Sequence, residues 1–427
     1  MFEKYQKKMN NLFIFLDLLK MKKKIPEDFS GVIRVQNRRI RRLMKRAYQI
    51  PFYRERFDAA GVKPEDIRCA DDLSKLPLLY KEELRAWMRE EAKNPKYDDW
   101  YHDTTSGSSG EPLMILLSPR EKAYMMANWF RVMMVAGYNP FFGKTMSRKS
   151  AHSTSAGRDT FLQRMGILRR GFLDQYAPEE EMVRQVNEYQ PDYLYMNKTE
   201  LMRLCLYCKD HNCKIHQPRY YSPTGEMTDQ AAYELFTSIL GPGIVNSFGT
   251  AEAGAQMVKL FDSQEYVIHH DSFVVNIYDE EGRPAEEGSL VVTPLYQTDL
   301  PLINYAVGDK AKATTHDGVK FITEVQGRMN DYFKYEDGRR TTFFEIAPII
   351  AHSEDVLQIR FIQESWDDIR VQIVRDEAAS MSKEEIEKYL EENLNGIFKR
   401  PFRFTFDWMD VIPPDKNGKL RMIVCNV

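Results

Sequence analysis

The chain has 427 residues, 43% hydrophobic and 12% aromatic, which is enough for a large buried core and, at ordinary domain sizes, about two or three domains. Its 60 basic and 63 acidic residues leave a net charge of −3, so no bulk field recruits nucleic acid or an anionic membrane, and partners must be read from individual sites. Five cysteines, an odd number in a long chain, do not make a disulfide framework and suit a reducing cytoplasm.

At the N-terminus, Leu12 to Leu19 is apolar and is followed by Lys20, Lys22, Lys23 and Lys24. The run is too short to span a bilayer, and its charges lie on the wrong side for a signal peptide. It reads instead as a short amphipathic helix, Asn11 to Met21, that packs on this protein or a partner subunit rather than on a membrane. From Val35 to Gln49, arginine and lysine alternate with Ile40, Leu43 and Met44 at a helical period, giving a basic outer face. Without a basic excess elsewhere, that face reads as solvated rather than nucleic-acid-binding. Pro51 and Pro77 then punctuate two short helical segments.

Thr104 to Pro112 reads Thr-Thr-Ser-Gly-Ser-Ser-Gly-Glu-Pro and leads into the apolar run Leu113 to Leu117. Such a stretch is not core. Glycines that turn the backbone freely, with hydroxyls and amides beside them, can surround phosphate oxygens; the same composition also makes a flexible surface loop. The nine residues alone leave both readings open.

Beyond it, Pro119 to Val135 is an apolar helix, Phe141 to Gly157 an irregular polar stretch, Glu179 to Tyr189 a helix and Asp192 to Met196 a strand. Helices at Thr199 to His211 and Asp229 to Leu240 flank the turn Thr224-Gly225-Glu226, and Gly243 to Phe248 is a further strand. This alternation predicts an α/β body with much parallel sheet. From Tyr266 to Phe333, apolar and polar residues alternate between turns, which predicts an antiparallel element. Cys205, Cys208, His211, Cys213 and His216 crowd into one segment, but Leu201, Leu204 and Cys208 form a helical stripe, so the cysteines read as buried small hydrophobes rather than zinc ligands.

Four further segments are each weak alone: Asn246-Ser-Phe-Gly-Thr-Ala-Glu252 at a strand end, Asn304-Tyr-Ala-Val-Gly-Asp309, Gln326-Gly-Arg-Met-Asn-Asp331, and Pro413 to Arg421 with Lys419 on a tight turn. Taken in order with the Ser/Gly loop, they resemble the adenylate-forming superfamily of acyl-CoA ligases, whose motifs are a Thr/Ser-Gly loop, Tyr-Gly-x-Thr-Glu, Tyr-x-Thr-Gly-Asp, Gly-Arg-x-Asp-Asp and a terminal Pro-x-x-x-x-Gly-Lys. The resemblance covers residues 46 to 421. Phe52-Tyr-Arg-Glu-Arg-Phe57 and Asp72-Leu-Ser-Lys-Leu-Pro77 look like the phenylacetate-CoA ligase branch and its CapK-like relatives.

The resemblance implies an α/β fold with a large N-terminal domain, residues 1–326, of mixed sheets and helices, and a small mobile α+β C-terminal domain, residues 327–427, swinging about a hinge within Gly327 to Asp331. It implies that Ser106, Gly107, Ser108, Ser109 and Gly110 close over the phosphates of ATP, that Asn246, Phe248, Gly249 and Thr250 surround the nucleotide with Phe248 on adenine, and that Glu252 holds Mg²⁺. Asp309 would take the ribose hydroxyls with Arg328 near the same sugar, Gly225 and Glu226 loosely match a region beside adenine, and Lys419 would bridge the substrate carboxylate and the α-phosphate. Asn330 stands where the hinge usually has aspartate, Ala251 where many members carry a hydroxyl, and Val307 replaces a threonine, yet Glu252, Asp309, Arg328 and Lys419 are all kept.

The implied reaction activates a carboxylic acid, with aromatic phenylacetate-like acids among the candidates, to an acyl-adenylate with release of pyrophosphate, and then transfers it to the thiol of coenzyme A. A second reading passes the acyl group to an amine, a hydroxyl or a carrier-protein thiol in capsule or secondary-metabolite assembly, and a third is a non-catalytic nucleotide-binding module. Phe141, Phe142, Met146 and His152 are candidates to line the acid pocket. The branch also implies a cytoplasmic homodimer with no nucleic-acid or membrane partner.

Overall fold

The computed structural model describes residues 13–14, 16–21, 25–104, 113–139, 141–148, 161–167, 169–174, 177–226, 228, 230–261, 263–328, 332–342, 346, 349–350, 356–375, 380–413 and 420–427, without the side chains of 104, 148, 161, 162, 327, 328 and 342. The chain divides into two compact units, Met1–Pro140 with Val245–Gly327, and Phe141–Ile244 with Arg328–Val427.

The first unit begins with helices α1 (Ser30–Ala47), α2 (Pro51–Ala59) and α3 (Lys81–Glu91). On α1, Val32, Ile40, Leu43, Met44 and Ala47 are buried at helical spacing, and the arginines fall on the outer face. Pro51 opens α2, where its missing N–H costs nothing. A two-stranded ribbon, β1 (Tyr101–Thr104) with β2 (Met114–Leu117), precedes α4 (Pro119–Val135). Ser118 caps α4: its hydroxyl accepts from the Glu121 amide while the Glu121 carboxylate accepts from the Ser118 amide.

The second unit holds a parallel sheet of β3 (Lys144–Arg148), β4 (Arg169–Leu173), β5 (Tyr193–Asn197) and β6 (Tyr220–Thr224) in the order β4-β3-β5-β6. Helices α5 (Glu179–Tyr189), α6 (Lys198–Asp210) and α7 (Gln230–Leu240) connect or follow its strands. Strand β3 corrects the reading of Phe141 to Gly157 as irregular throughout. With Met146 its one large apolar residue, the segment carries no period of its own and becomes a strand because neighbours on both sides satisfy its backbone. Cys205 and Cys208 lie in the core of this unit with Met196, Leu204 and Phe236.

Back in the first unit, β7 (Val245–Thr250), β8 (Gly254–Leu260) and β9 (Val267–Ile268) form an antiparallel sheet, and β10 (Phe273–Tyr278), β11 (Glu287–Pro294), β12 (Tyr305–His316) and β13 (Val319–Arg328) a second one in chain order. An antiparallel element in this stretch agrees with the sequence reading. The second unit resumes with the ribbon β14 (Tyr332–Lys334) and β15 (Arg340–Thr342). A mixed sheet follows, made of β16 (Val356–Gln363), β17 (Asp368–Arg375), β18 (Arg403–Trp408) and β19 (Ile423–Cys425) in the order β18-β17-β16-β19. Helix α8 (Lys383–Phe398) buries Ile386, Leu390, Leu394 and Phe398 in one core with Phe333 of the ribbon and Phe361, Ile369, Val371 and Ile373 of that sheet.

Among the described residues no helix is long and apolar enough to cross a membrane.

Candidate active site

Strands β7 and β8 form a hairpin whose turn carries Glu252, so the motif at 246–252 runs along β7 to its end, as the sequence suggests, and the chain there turns back into an antiparallel partner. The glycines explain the turn. Gly254 has φ +73°, a backbone that side chains resist, and a Cβ at Gly249 would lie 2.7 Å from the Gly254 carbonyl oxygen and 2.9 Å from the indole of Trp129. A bulge between Phe248 and Gly249 accompanies this close approach. Asn246 and Phe248 lie earlier on β7, opposite Lys259 and Met257, both half-buried.

The turn is held from several directions. Thr250 Oγ1 accepts from the Ala253 amide at 3.2 Å and from Gln256 Nε2 at 3.1 Å, while the Tyr296 hydroxyl donates to the Ala253 carbonyl at 2.8 Å. Gln297 Nε2 donates to the Glu252 carbonyl at 2.7 Å. The segment bearing Tyr296 and Gln297 is fixed in turn by the buried Glu121, whose Oε1 accepts from the amides of Thr298 at 2.7 Å and Asp299 at 3.0 Å.

Glu252 is buried, and its Oε1 accepts a hydrogen bond from the Tyr305 phenol at 3.3 Å. Tyr305 follows Asn304, which is buried in the left-handed region at φ +52°. The Asn304 amide side chain donates to the carbonyls of Leu73 at 2.7 Å and Leu76 at 3.1 Å, and its backbone N–H donates to Thr293 Oγ1 at 2.9 Å. Burial, reinforced by the carboxylates of Glu252 and Asp309, pushes the Tyr305 phenol far above its usual range, so it stays a neutral donor. Gly308 turns the backbone at φ +88° immediately before Asp309, which is half-buried. The structure therefore joins Glu252 and Tyr305, far apart in sequence, in one hydrogen bond, with Asp309 four residues further along the same strand.

The second unit carries Gly225 and Glu226 just after β6. Gly225 has φ +82°, and the Glu226 carboxylate accepts from the Thr199 hydroxyl at 2.7 and 2.9 Å. Arg328 is the last residue of β13, its side chain outside the described residues. Ser106, Gly107, Ser108, Ser109, Gly110 and Lys419 also lie outside the described residues, as does His152. Of the other pocket candidates, Met146 is buried within β3 and Phe142 is exposed. Two supports escape a reading of the sequence: Gln297 has no motif around it, and Tyr305 is visible as part of a motif but without a partner.

Residues 334–426 match the family model described as the CapK C-terminal domain. The chain is 26% identical to Protein CapK of Staphylococcus aureus over 254 residues, 57% of this chain and 55% of that protein, so it spans about half the length of that relative. It is 23% identical to phenylacetate-coenzyme A ligase of Escherichia coli (strain K12) over 342 residues, 70% of this chain and 71% of the enzyme. Its fold resembles the crystal structure of 2-hydroxyisobutyryl-CoA ligase in the postadenylation state in complex with 2-HIB-AMP, with a TM-score of 0.71 at 16% identity over 92% of this chain and 89% of that one.

Residues 334–426 thus carry a CapK-type C-terminal domain, and the chain as a whole is similar to CapK and to phenylacetate-CoA ligases. At the hairpin turn Tyr305 occupies Glu252 Oε1, while Oε2 has no hydrogen-bond partner among the described residues, which leaves one carboxylate oxygen of the kind a hard cation prefers. The cysteine-rich segment offers nothing comparable. Burial raises the Cys208 thiol to about 12, His216 Nε2 lies 3.0 Å from the Pro191 carbonyl, and His211 stacks on Tyr207.

Proposed function

We propose that this protein uses ATP to activate a carboxylic acid as an acyl-adenylate, releasing pyrophosphate, and then transfers the acyl group to the thiol of coenzyme A. The observation that supports this most is the hydrogen bond from the Tyr305 phenol to Glu252, because it ties the segment that carries Glu252 to the segment that carries Asp309, two carboxylates that such a reaction needs on one nucleotide. In this reading Asp309 accepts from the ribose hydroxyls, Phe248 covers adenine, Arg328 lies by the same sugar, and Asn246, Gly249 and Thr250 complete the wall, with Gly225 and Glu226 also assigned to nucleotide binding. Ser106 to Gly110 wrap the phosphates. Glu252 holds Mg²⁺, which when bound would offset phosphate charge.

Lys419 places its ammonium between the substrate carboxylate and the α-phosphate, where it stabilises charge as the carboxylate attacks phosphorus and pyrophosphate departs; no proton transfer is asked of it. Residues 1–326 and 327–427 serve as the two working bodies, the second carrying Lys419 to the site and then withdrawing it for thiol attack. The acid class favoured by the branch is aromatic and phenylacetate-like, and the working form is a cytoplasmic homodimer.

The test is ATP–pyrophosphate exchange across a panel of acids. Exchange that requires an acid and is lost in Lys419→Ala supports the reading; equal exchange in that variant overturns the mechanism. The similarity to CapK and the CapK-type C-terminal domain favour one further reading, in which an amine, hydroxyl or carrier thiol replaces coenzyme A as acceptor. Mass spectrometry for an acyl-CoA thioester after adding acid, ATP and coenzyme A separates the two.

A further inference from the structure

A cleft of about 350 Å³ opens between the outer face of α1 and the turn at Pro64 to Asp66, away from every adenylate-forming motif in sequence. Arg38, Arg41, Arg42 and Lys45 line one wall; their spacing along α1 stacks them on a single face. Arg68 and Glu65 line the other. The cleft thus gathers five cations around one carboxylate in a chain whose overall charge is −3.

The pairing of these residues departs from the rest of α1. Arg39 donates to the Asp271 carbonyl at 2.8 Å and to Tyr124, and Arg46 donates to the Thr298 carbonyl at 3.0 Å and pairs with Asp299. Arg38, Arg41, Arg42 and Lys45 make no hydrogen bond or ion pair with any described residue, and Arg68 spends its Nε on the Glu65 carbonyl rather than on the Glu65 carboxylate. All five cations are exposed, so their mutual repulsion is screened by water but not cancelled by any partner among the described residues, and an anion seated in the cleft would relieve it.

We propose that this cleft binds a soluble phosphoanhydride, a chain of two or three phosphates, at a site distinct from the adenylating one. The volume, about 350 Å³, sits at the low end for small-molecule sites, about 300–1,000 Å³, which suits a compact anion. Guanidinium forks match phosphate oxygens in pairs, and four of the five cations are arginine. A concave wall closed by Pro64 and Glu65 does not suit a flat bilayer. The site stands whether or not the chain adenylates acids.

The test titrates sodium tripolyphosphate into the full chain by calorimetry without Mg²⁺, in the wild type and in Ser106→Ala/Ser108→Ala/Lys419→Ala, whose adenylating site has lost its assigned phosphate contacts. Binding is expected in both, weakened about tenfold or more in Arg38→Ser/Arg42→Ser/Arg68→Ser, with a shallower dependence on salt. The arginine triple variant should melt no lower than wild type without ligand, since repulsion has been relieved. Glu65→Gln keeps every cation and should tighten binding several-fold, an effect a structural role would not produce. Equal affinity in wild type and the arginine triple variant, no binding in Ser106→Ala/Ser108→Ala/Lys419→Ala, equal heat from sulfate at matched ionic strength, or binding to phosphatidylglycerol vesicles without binding to tripolyphosphate would each overturn the assignment.

Discussion

The phenol of Tyr305 donates to Glu252 Oε1 at 3.3 Å across 53 residues of sequence, tying the hairpin turn of β7 and β8 to the start of β12. Because burial keeps that phenol protonated well above the physiological range, the bond does not titrate where enzymes work. Tyr305→Phe removes the donor and keeps the ring. It is expected to cost about 1 kcal/mol of stability, and to raise the Mg²⁺ concentration needed for half-maximal exchange several-fold as Glu252 loses its fixed orientation. Exchange assayed against Mg²⁺ from pH 6 to 9 checks both parts: the defect should be the same throughout that range.

Asn304 sets the position of Tyr305, and it does so with both its backbone and its side chain. Its left-handed φ of +52° is one that asparagine tolerates and alanine resists, and its amide donates to the Leu76 carbonyl and to the Leu73 carbonyl, which also accepts from the Leu76 N–H. Asn304→Ala combines the strain with the lost bonds and should destabilise by about 2–4 kcal/mol in urea unfolding. Asn304→Gly removes the strain alone, and should lose less.

These two residues also show where sequence reasoning stops. Glu252 and Asp309 are legible because each sits in a short motif with a glycine at fixed spacing, and helices such as α4 are legible because their burial follows a helical period. Strand β3 is not, since Lys-Thr-Met-Ser-Arg has no pattern and its place comes from the strands beside it. Strand β7 is legible as a strand, but its partner is not: the return into β8 runs through Gly254, two residues past Glu252 and at positive φ, and leaves no wider pattern. Gln297 is invisible because its role, holding the Glu252 carbonyl, depends on a fold-level contact that leaves no local mark.

His269 and His270 give the fold an acid limit. Burial lowers both, His270 to about 4 and His269 well below its usual value, with Arg131 adding to the effect. Their folded values lie below the unfolded value near 6.5, so the unfolded chain binds protons the folded one refuses. Stability is therefore fully present above about pH 6.5 and falls as the pH drops toward 4. Between pH 7 and pH 5, His270 should account for about 2 kcal/mol of lost stability. His270→Gln is expected to be less stable than wild type at pH 7 but to have a flatter slope between those pH values, measured by urea unfolding at each. Equal slopes would remove His270 as the cause.

The hairpin turn depends on two backbones lying closer than a side chain permits. At Gly249 an added Cβ would sit 2.7 Å from the Gly254 carbonyl oxygen and 3.0 Å from Ala255 Cα, both backbone atoms that cannot swing aside. Gly249→Ala should therefore cost about 1–3 kcal/mol and move the turn that carries Glu252, so that acid-dependent exchange falls further than stability does. Gly282, outside every assigned site, supplies the control. It has a positive φ of +75° but nothing within 4 Å of an added Cβ, so Gly282→Ala carries backbone strain of about 1–2 kcal/mol without a clash. If exchange depends on the close approach at the turn, Gly249→Ala loses more activity than Gly282→Ala at comparable loss of stability. Equal losses of activity would mean that Glu252 does not need the hairpin held this tightly.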